Sequence, residues 1–302
     1  MPSSSPRLAR FRRILDLPRI RLTPRDQETI RHVFQHRFLR SAHLRSLLPG
    51  SGQHLLRRLQ RLYHHGYLDR PRAQIERYTA GSKAMVYGVG PKGIRFLEDK
   101  FGIPRRKVDW TARHRSVTRY FLDHTLAVAD IMVALEIACR SDSRFTLVHP
   151  RAPHEPPIRW SVTLRHRGTP MTVGVVPDAV FGLRAHGHTE AWFFLEADRA
   201  TMPVARHTLK QTSFLRKLLA YHETWRQKLP TLKCHRFRVL AVTTTPERAA
   251  NIREAYDRAC LGRAPNLLLV TDVESFLRGQ NPIQELLGRL TGPPPAASHE
   301  TE

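Results

Sequence analysis

Between residues 53 and 65, Leu55, Leu56, Leu59, Leu62 and Tyr63 fall on one side of a helical projection, and Gln53, His54, Arg57, Arg58, Gln60 and Arg61 on the other. The spacing predicts an amphipathic helix whose apolar side docks and whose basic side faces outward. Two shorter elements precede it. Thr23-Pro24-Arg25-Asp26 has a capping residue, a proline suited to the first turn and an early acid, which together start a helix running to about His36. Ser41 is placed to cap a second helix carrying Leu44, Leu47 and Leu48, and Pro49-Gly50-Ser51-Gly52 forms a turn before the third. Gly66 ends the third helix, Tyr67-Leu68 opens a strand, a polar tip runs from Gln74 to Lys83, and Ala84 to Val89 returns. Pro91 begins a further helix through Phe101. Three helices followed by a hairpin predict a winged helix-turn-helix over residues 21–101.

The pattern then changes. Residues 102–112 read as a linker, and a long helix from about Arg113 to Arg140 carries the stripe Val117, Phe121, Val128, Met132 and Leu135. After an irregular stretch from Pro150 to Pro157, strands are expected over Ile158–Arg165, Met171–Leu183 and Ala191–Leu195. A helix from Val204 to Lys228, a strand from Phe237 to Thr243, a helix from Pro246 to Ala259 and a strand from Leu267 to Val270 follow. This order predicts a mixed sheet with helices packed on it, covering residues 113–285. The fold class is therefore α+β, with a basic disordered arm at residues 1–20 and a Pro-rich disordered tail at 291–302.

Charge sharpens the reading of the first half. The 302-residue chain has a formal net charge of +24, and residues 1–110 hold 24 Lys and Arg against 8 Asp and Glu. Concentrated positive charge favours a polyanion, because each neutralised phosphate releases condensed counterions. Double-stranded DNA is the expected partner, met by Gln53, His54, Arg57, Arg58, Gln60 and Arg61 on the third helix and by Arg72, Arg77 and Lys83 on the hairpin. No apolar run reaches the length of a bilayer span, so no membrane partner is expected. Cys139, Cys234 and Cys260 lack metal or disulfide spacing and suit a reducing, cytoplasmic setting. No Gly-rich phosphate loop appears, which argues against a nucleotide cofactor. His186-Gly187-His188 falls in an expected turn and reads as a solvated loop.

Chemistry enters through the acids. Pro177-Asp178 lies on one predicted strand, and Glu196-Ala197-Asp198 ends another. Side chains alternate along a strand, so Glu196 and Asp198 are expected on one face, with Asp178 opposite across a hairpin. Three converging carboxylates would suit Mg²⁺, a hard cation that prefers oxygen ligands. Pro177-Asp178, Glu196-Ala197-Asp198 and a following helix with Lys210 and Lys217 resemble a restriction-endonuclease-like core. From the helical module through His124-Thr125-Leu126 to Phe194-Leu195-Glu196-Ala197-Asp198-Arg199-Ala200-Thr201, the chain resembles the replication-relaxation family of plasmids and integrated mobile elements. The resemblance implies a role in replication or DNA relaxation and a nuclease-like second domain. It implies Asp178, Glu196 and Asp198 as metal ligands and, with Lys210 or Lys217, as catalytic residues. Asp198 stands where such a nuclease has lysine, a position that Lys210 or Lys217 would have to fill. Three functions remain open: a DNA-binding platform that forms a homodimer or docks other mobile-element proteins, a metal-dependent nuclease or nickase, and a transcriptional regulator of the element.

Overall fold

The computed structural model describes residues 10–14, 17–75, 84–104, 117–153, 155–166, 169–185, 190–227, 237–261, 266–278, 282, 283 and 286. These divide into two compact units, Met1–Val133 with Arg151–Pro156, and Ala134–Pro150 with Pro157–Glu302.

In the first unit, helices α1 (Pro24–His36), α2 (Ser41–Leu47) and α3 (Gly52–His64) are followed by strands β2 (Leu68–Asp69) and β3 (Val86–Val89) and by helix α4 (Pro91–Phe101). A two-residue strand, β1 (Leu39–Arg40), lies between α1 and α2 and pairs antiparallel with β3, giving the order β1-β3-β2. Thr23 and Asp26 form a reciprocal capping box at the start of α1, satisfying donors the helix leaves free. Arg40, rather than the expected Ser41, is the N-cap of α2, because β1 carries the extended backbone one residue closer to the helix. Gly66 takes φ 82° in the turn after α3. Gly93 allows α4 to approach β2 closely, since a Cβ there would lie 2.2 Å from the Tyr67 carbonyl oxygen. Gln74 is buried rather than at the polar tip. Its side chain donates to the Val86 carbonyl at 2.9 Å and accepts from the Val86 N–H at 2.8 Å, standing in for a strand partner.

A long helix, α5 (Arg119–Ser141), follows. The division between units falls within it rather than in a linker at 102–112. Its first half belongs to the first unit: Leu122 and Leu126 bury against Phe38 and Val86. Asp130 also takes an ion pair from Arg40 and a 2.6 Å contact from His43 Nε2. Part of the N-terminal arm is docked too. Arg13 donates to the carbonyls of Tyr63 and Leu68 and pairs with Asp69 at 3.3 Å, while Arg70 donates to the Arg10 carbonyl.

The second unit contains a five-stranded sheet of order β10-β9-β8-β7-β4, made from β4 (Phe145–Val148), β7 (Ala179–Ala185), β8 (Ala191–Ala197), β9 (Phe237–Thr243) and β10 (Leu268–Asp272). Strands β4, β7 and β8 pair antiparallel; β8, β9 and β10 run parallel. Parallel strands require crossovers, which α6 (Phe214–Arg226) and α7 (Pro246–Cys260) provide. A short helix, α8 (Val273–Arg278), follows β10. The hairpin of β5 (Trp160–His166) and β6 (Thr169–Val175) forms its own two-stranded sheet. Phe194, Val239, Ala241 and Val270 bury with Leu218 and Tyr221 of α6 and with Ile252 and Tyr256 of α7. The predicted strand Met171–Leu183 is two strands interrupted at Pro177. Helix α6 starts at Phe214 instead of Val204, because Ser213 supplies the cap. Among the described residues, no helix is long and apolar enough to cross a membrane.

One ion pair ties α1 to α3. Asp26 of α1 is 2% exposed, and Arg58 of α3 donates to both of its carboxylate oxygens. The neighbouring Arg25 donates to the carbonyls of Leu48, Gly50 and Ser51 in the α2–α3 turn. Burial would push the Asp26 carboxyl up, but donors from Arg58 and Thr23 outweigh it and hold the group below its usual value. Removing one member of a buried pair strands the other charge. Arg58→Ala should therefore destabilise the first unit by about 3–5 kcal/mol, read from hydrogen exchange of α1–α3 amides. Arg57→Ala should stay within about 0.5 kcal/mol. Equal, small losses would show that the pair is not structural.

Candidate functional site

Two groups of residues merit comparison, one in each unit. On α3, Leu55, Leu59 and Leu62 are at most 1% exposed and fix the helix against the core. Gln53, His54, Arg57 and Arg61 are exposed on the opposite side, and Gln60 is half-buried. Ser51 caps α3 by accepting from the His54 N–H at 3.3 Å. Two expectations change here. Arg58 does not face outward, because its guanidinium is committed to Asp26 and to the Arg21 carbonyl at 3.0 Å. Leu56 is not docked: it sits at the edge of the apolar stripe and is 42% exposed. Arg72 is exposed at the start of a single 3₁₀ turn after β2. Arg77 and Lys83 lie outside the described residues.

In the second unit, the structure brings Asp178, Glu196 and Lys217 together. Asp178 precedes β7, and its Oδ2 accepts from the Ala197 N–H at 2.8 Å. Glu196, on β8, is 1% exposed. Its Oε2 is paired with Lys217 Nζ, and its Oε1 accepts from the Tyr221 hydroxyl at 2.5 Å. Lys217 Nζ also lies 3.9 Å from Asp178 Oδ1. Lys217 and Tyr221 are four residues apart on α6, so one helix face delivers both donors.

The expected convergence of Asp198 and Lys210 does not occur. Strand β8 ends at Ala197, so alternation no longer dictates where Asp198 points. Asp198 instead accepts from Thr243 Oγ1 at 2.6 Å and from Arg248 through Nε at 2.5 Å and Nη2 at 3.1 Å. Lys210 is exposed in the loop before α6, and its carbonyl accepts from Arg216 at 3.3 Å. Arg248 and Thr243 escape sequence reasoning because their partner lies 50 and 45 residues away, with no motif linking them. His186, Gly187 and His188 lie outside the described residues.

Electrostatics follow from burial. Desolvation pushes the Glu196 carboxyl up to about 8, with Lys217 opposing and Asp178 reinforcing the shift. Burial alone would lower Lys217, but Glu196 and Asp178 outweigh it and raise its value. Burial and the neighbouring Glu196 raise the Tyr221 phenol well above its usual range, so it remains a hydrogen-bond donor. The residues do not fit the Mg²⁺ suggested by the sequence. Both Glu196 oxygens are taken by protein donors, Asp178 caps a strand end, and Asp198 is turned to Arg248. The three residues also do not bring one carboxylate oxygen each within 4.8 Å of the other two. What the cluster can do is hold a proton and a positive charge inside the unit, bracing α6 against β8.

The proton balance has a measurable sign. A carboxyl raised on folding is stabilising below its ordinary value of 4.5, and that contribution is lost as pH rises through about 8. Stability of the second unit should therefore fall between pH 5.5 and 8.5, and Glu196→Gln should flatten the profile. Chemical denaturation across that range tests this; an unchanged slope in the variant would contradict the assignment.

Neither a curated protein nor a solved structure matches the chain. The family model described as replication-relaxation matches residues 30–236, a stretch that includes α3, α5, Asp178, Glu196 and Lys217. With more than half of its length matched, this chain belongs to the replication-relaxation family.

Proposed function

We propose that the first unit is a winged helix that binds double-stranded DNA through α3, and that the second is a restriction-endonuclease-like sheet serving as a non-cleaving platform. Family membership points to replication or relaxation of a plasmid or other mobile element. The observation carrying this reading is the outward face of α3, where Gln53, His54, Arg57 and Arg61 are exposed while the opposite side is locked into the core. Supporting it are the order of three helices before the β2–β3 pair and the sheet order β1-β3-β2. A helix presented by two others, with a short sheet beside it, suits a major groove. Guanidiniums and amides at its surface suit guanine, adenine and phosphate.

The arrangement of the second unit also supports the nuclease-like part of the proposal. Three antiparallel strands, a crossover helix and a parallel strand carry Asp178 before β7 and Glu196 on β8. Lys217 reaches Glu196 from α6, supplying the positive charge missing at residue 198. With the carboxylates bonded internally, that charge serves packing. The platform is the reading favoured here, as a surface for a second copy or for other proteins of the element.

Binding and cleavage are tested separately. Replacing Arg57 and Arg61 with alanine should weaken duplex binding and reduce the slope of log affinity against log salt by about 2, on the scale of 0.9 per neutralised phosphate. An unchanged slope would contradict the α3 assignment. Supercoiled plasmid incubated with Mg²⁺ or Mn²⁺ should be bound and left intact. Nicking that disappears in Asp178→Ala and Glu196→Ala would instead establish a nuclease.

A further inference from the structure

Leu56 is the outlier on α3. The helix has its core contacts from Leu55, Leu59, Leu62 and Tyr63, all buried, while Leu56 stands 42% exposed among polar neighbours. A single exposed leucine is ordinary on a protein surface, so its neighbours decide what it means. Gln53 is three residues before it and Gln60 four after, which puts the three side chains in one row along the helix. Arg57 and Arg61 form a second row, one step round the same outer side. Arg58, at the far edge, is withdrawn to Asp26. The outer side of α3 therefore carries a neutral row beside a cationic one.

The two rows suit different parts of a duplex. A phosphate attracts guanidinium strongly, takes only a neutral hydrogen bond from an uncharged amide, and gains nothing from leucine. Base edges in the major groove differ: a glutamine amide can pair with adenine N6 and N7, and an apolar side chain packs against the thymine methyl. Arginine would be as good a helix former as leucine at position 56 and would add phosphate affinity. Leucine adds only apolar contact.

We propose that the row Gln53–Leu56–Gln60 reads an adenine–thymine step in the major groove, with Leu56 packed on a thymine C5 methyl and a flanking glutamine paired with adenine. Arg57 and Arg61 then hold the phosphates. The inference rests on the DNA-binding reading above and adds to it the kind of base pair preferred.

The full chain is used to select preferred sites from a randomised duplex library. Each thymine in the selected site is then replaced in turn by deoxyuridine, which removes only the methyl group. Affinity is measured at fixed salt for the wild type, Leu56→Ala and Leu56→Gln. One substitution should weaken wild-type binding about four-fold, the effect of withdrawing one methyl group from apolar contact. Both variants should lose a similar factor on the thymine duplex and become indifferent to that substitution, with salt dependence unchanged. Sites lacking an adenine–thymine step, or variants that keep the wild type's sensitivity to deoxyuridine, would overturn the proposal. A changed oligomeric state with base discrimination intact would assign Leu56 to contact between copies and also overturn it. Salt-sensitive binding without any base preference would sink this inference and leave the DNA-binding reading standing. Absence of salt-sensitive binding would sink both.

Discussion

A carboxylate with 2% exposure governs how the first unit presents its outer surface. Asp26 closes the capping box of α1 and accepts two hydrogen bonds from Arg58 on α3. Buried charge is tolerated only when paired and hydrogen-bonded, so the geometry of the pair constrains both helices. Arg25, one residue earlier, reaches the carbonyls of the α2–α3 turn. Consecutive residues of one helical turn thus hold both the turn and the helix after it. With α3 fixed at this edge, Arg57 and Arg61 are left to solvent. In a chain of net charge +24, one arginine is spent on architecture so that its neighbours face a definite direction.

The second unit uses buried charge in the same manner. Glu196 stands in a strand that is otherwise Ala, Trp, Phe and Leu, and it is stabilised by Lys217 and Tyr221 from the helix crossing that strand. Asp198 does the equivalent with Arg248 from α7. Glu196 and Asp198, which would serve metal chemistry if they converged, are instead bonded to two different crossover helices. Each ties its helix to the C-terminal end of β8, the central strand of the sheet. Local geometry brings Asp178 and Glu196 together at Lys217, and the bonding partners decide what the acids do.

Much of the architecture is legible along the chain because local signals and tertiary structure agree. Pro91–Phe101 and Phe237–Thr243 have the bounds that their prolines, glycines and apolar runs predict. Disagreement arises where the deciding partner is distant. Strand β1 is only two residues long and exists because β3, about 47 positions later, pairs with it. Helix α6 begins ten residues after its apolar pattern suggests, since Ser213 is a better cap than anything near Val204. The basic face of α3 follows directly from helical periodicity, yet periodicity could not show that Asp26 claims Arg58 from 32 residues away. Likewise, the sequence offers Lys210 and Lys217 as cations beside the acids, but neither the choice of Lys217 nor the turning of Asp198 toward Arg248 can be read from it.

Three neighbouring arginines divide between structure and solvent, and the side-chain Nε–H resonances of Arg57, Arg58 and Arg61 report on each individually. In the free protein, the Arg58 signal should be protected from solvent exchange and the other two should not. On titration with duplex DNA, Arg57 and Arg61 should shift while Arg58 stays in place. An Arg58 signal that exchanges freely and moves with the other two, or α3 resonances that ignore DNA altogether, would contradict the account.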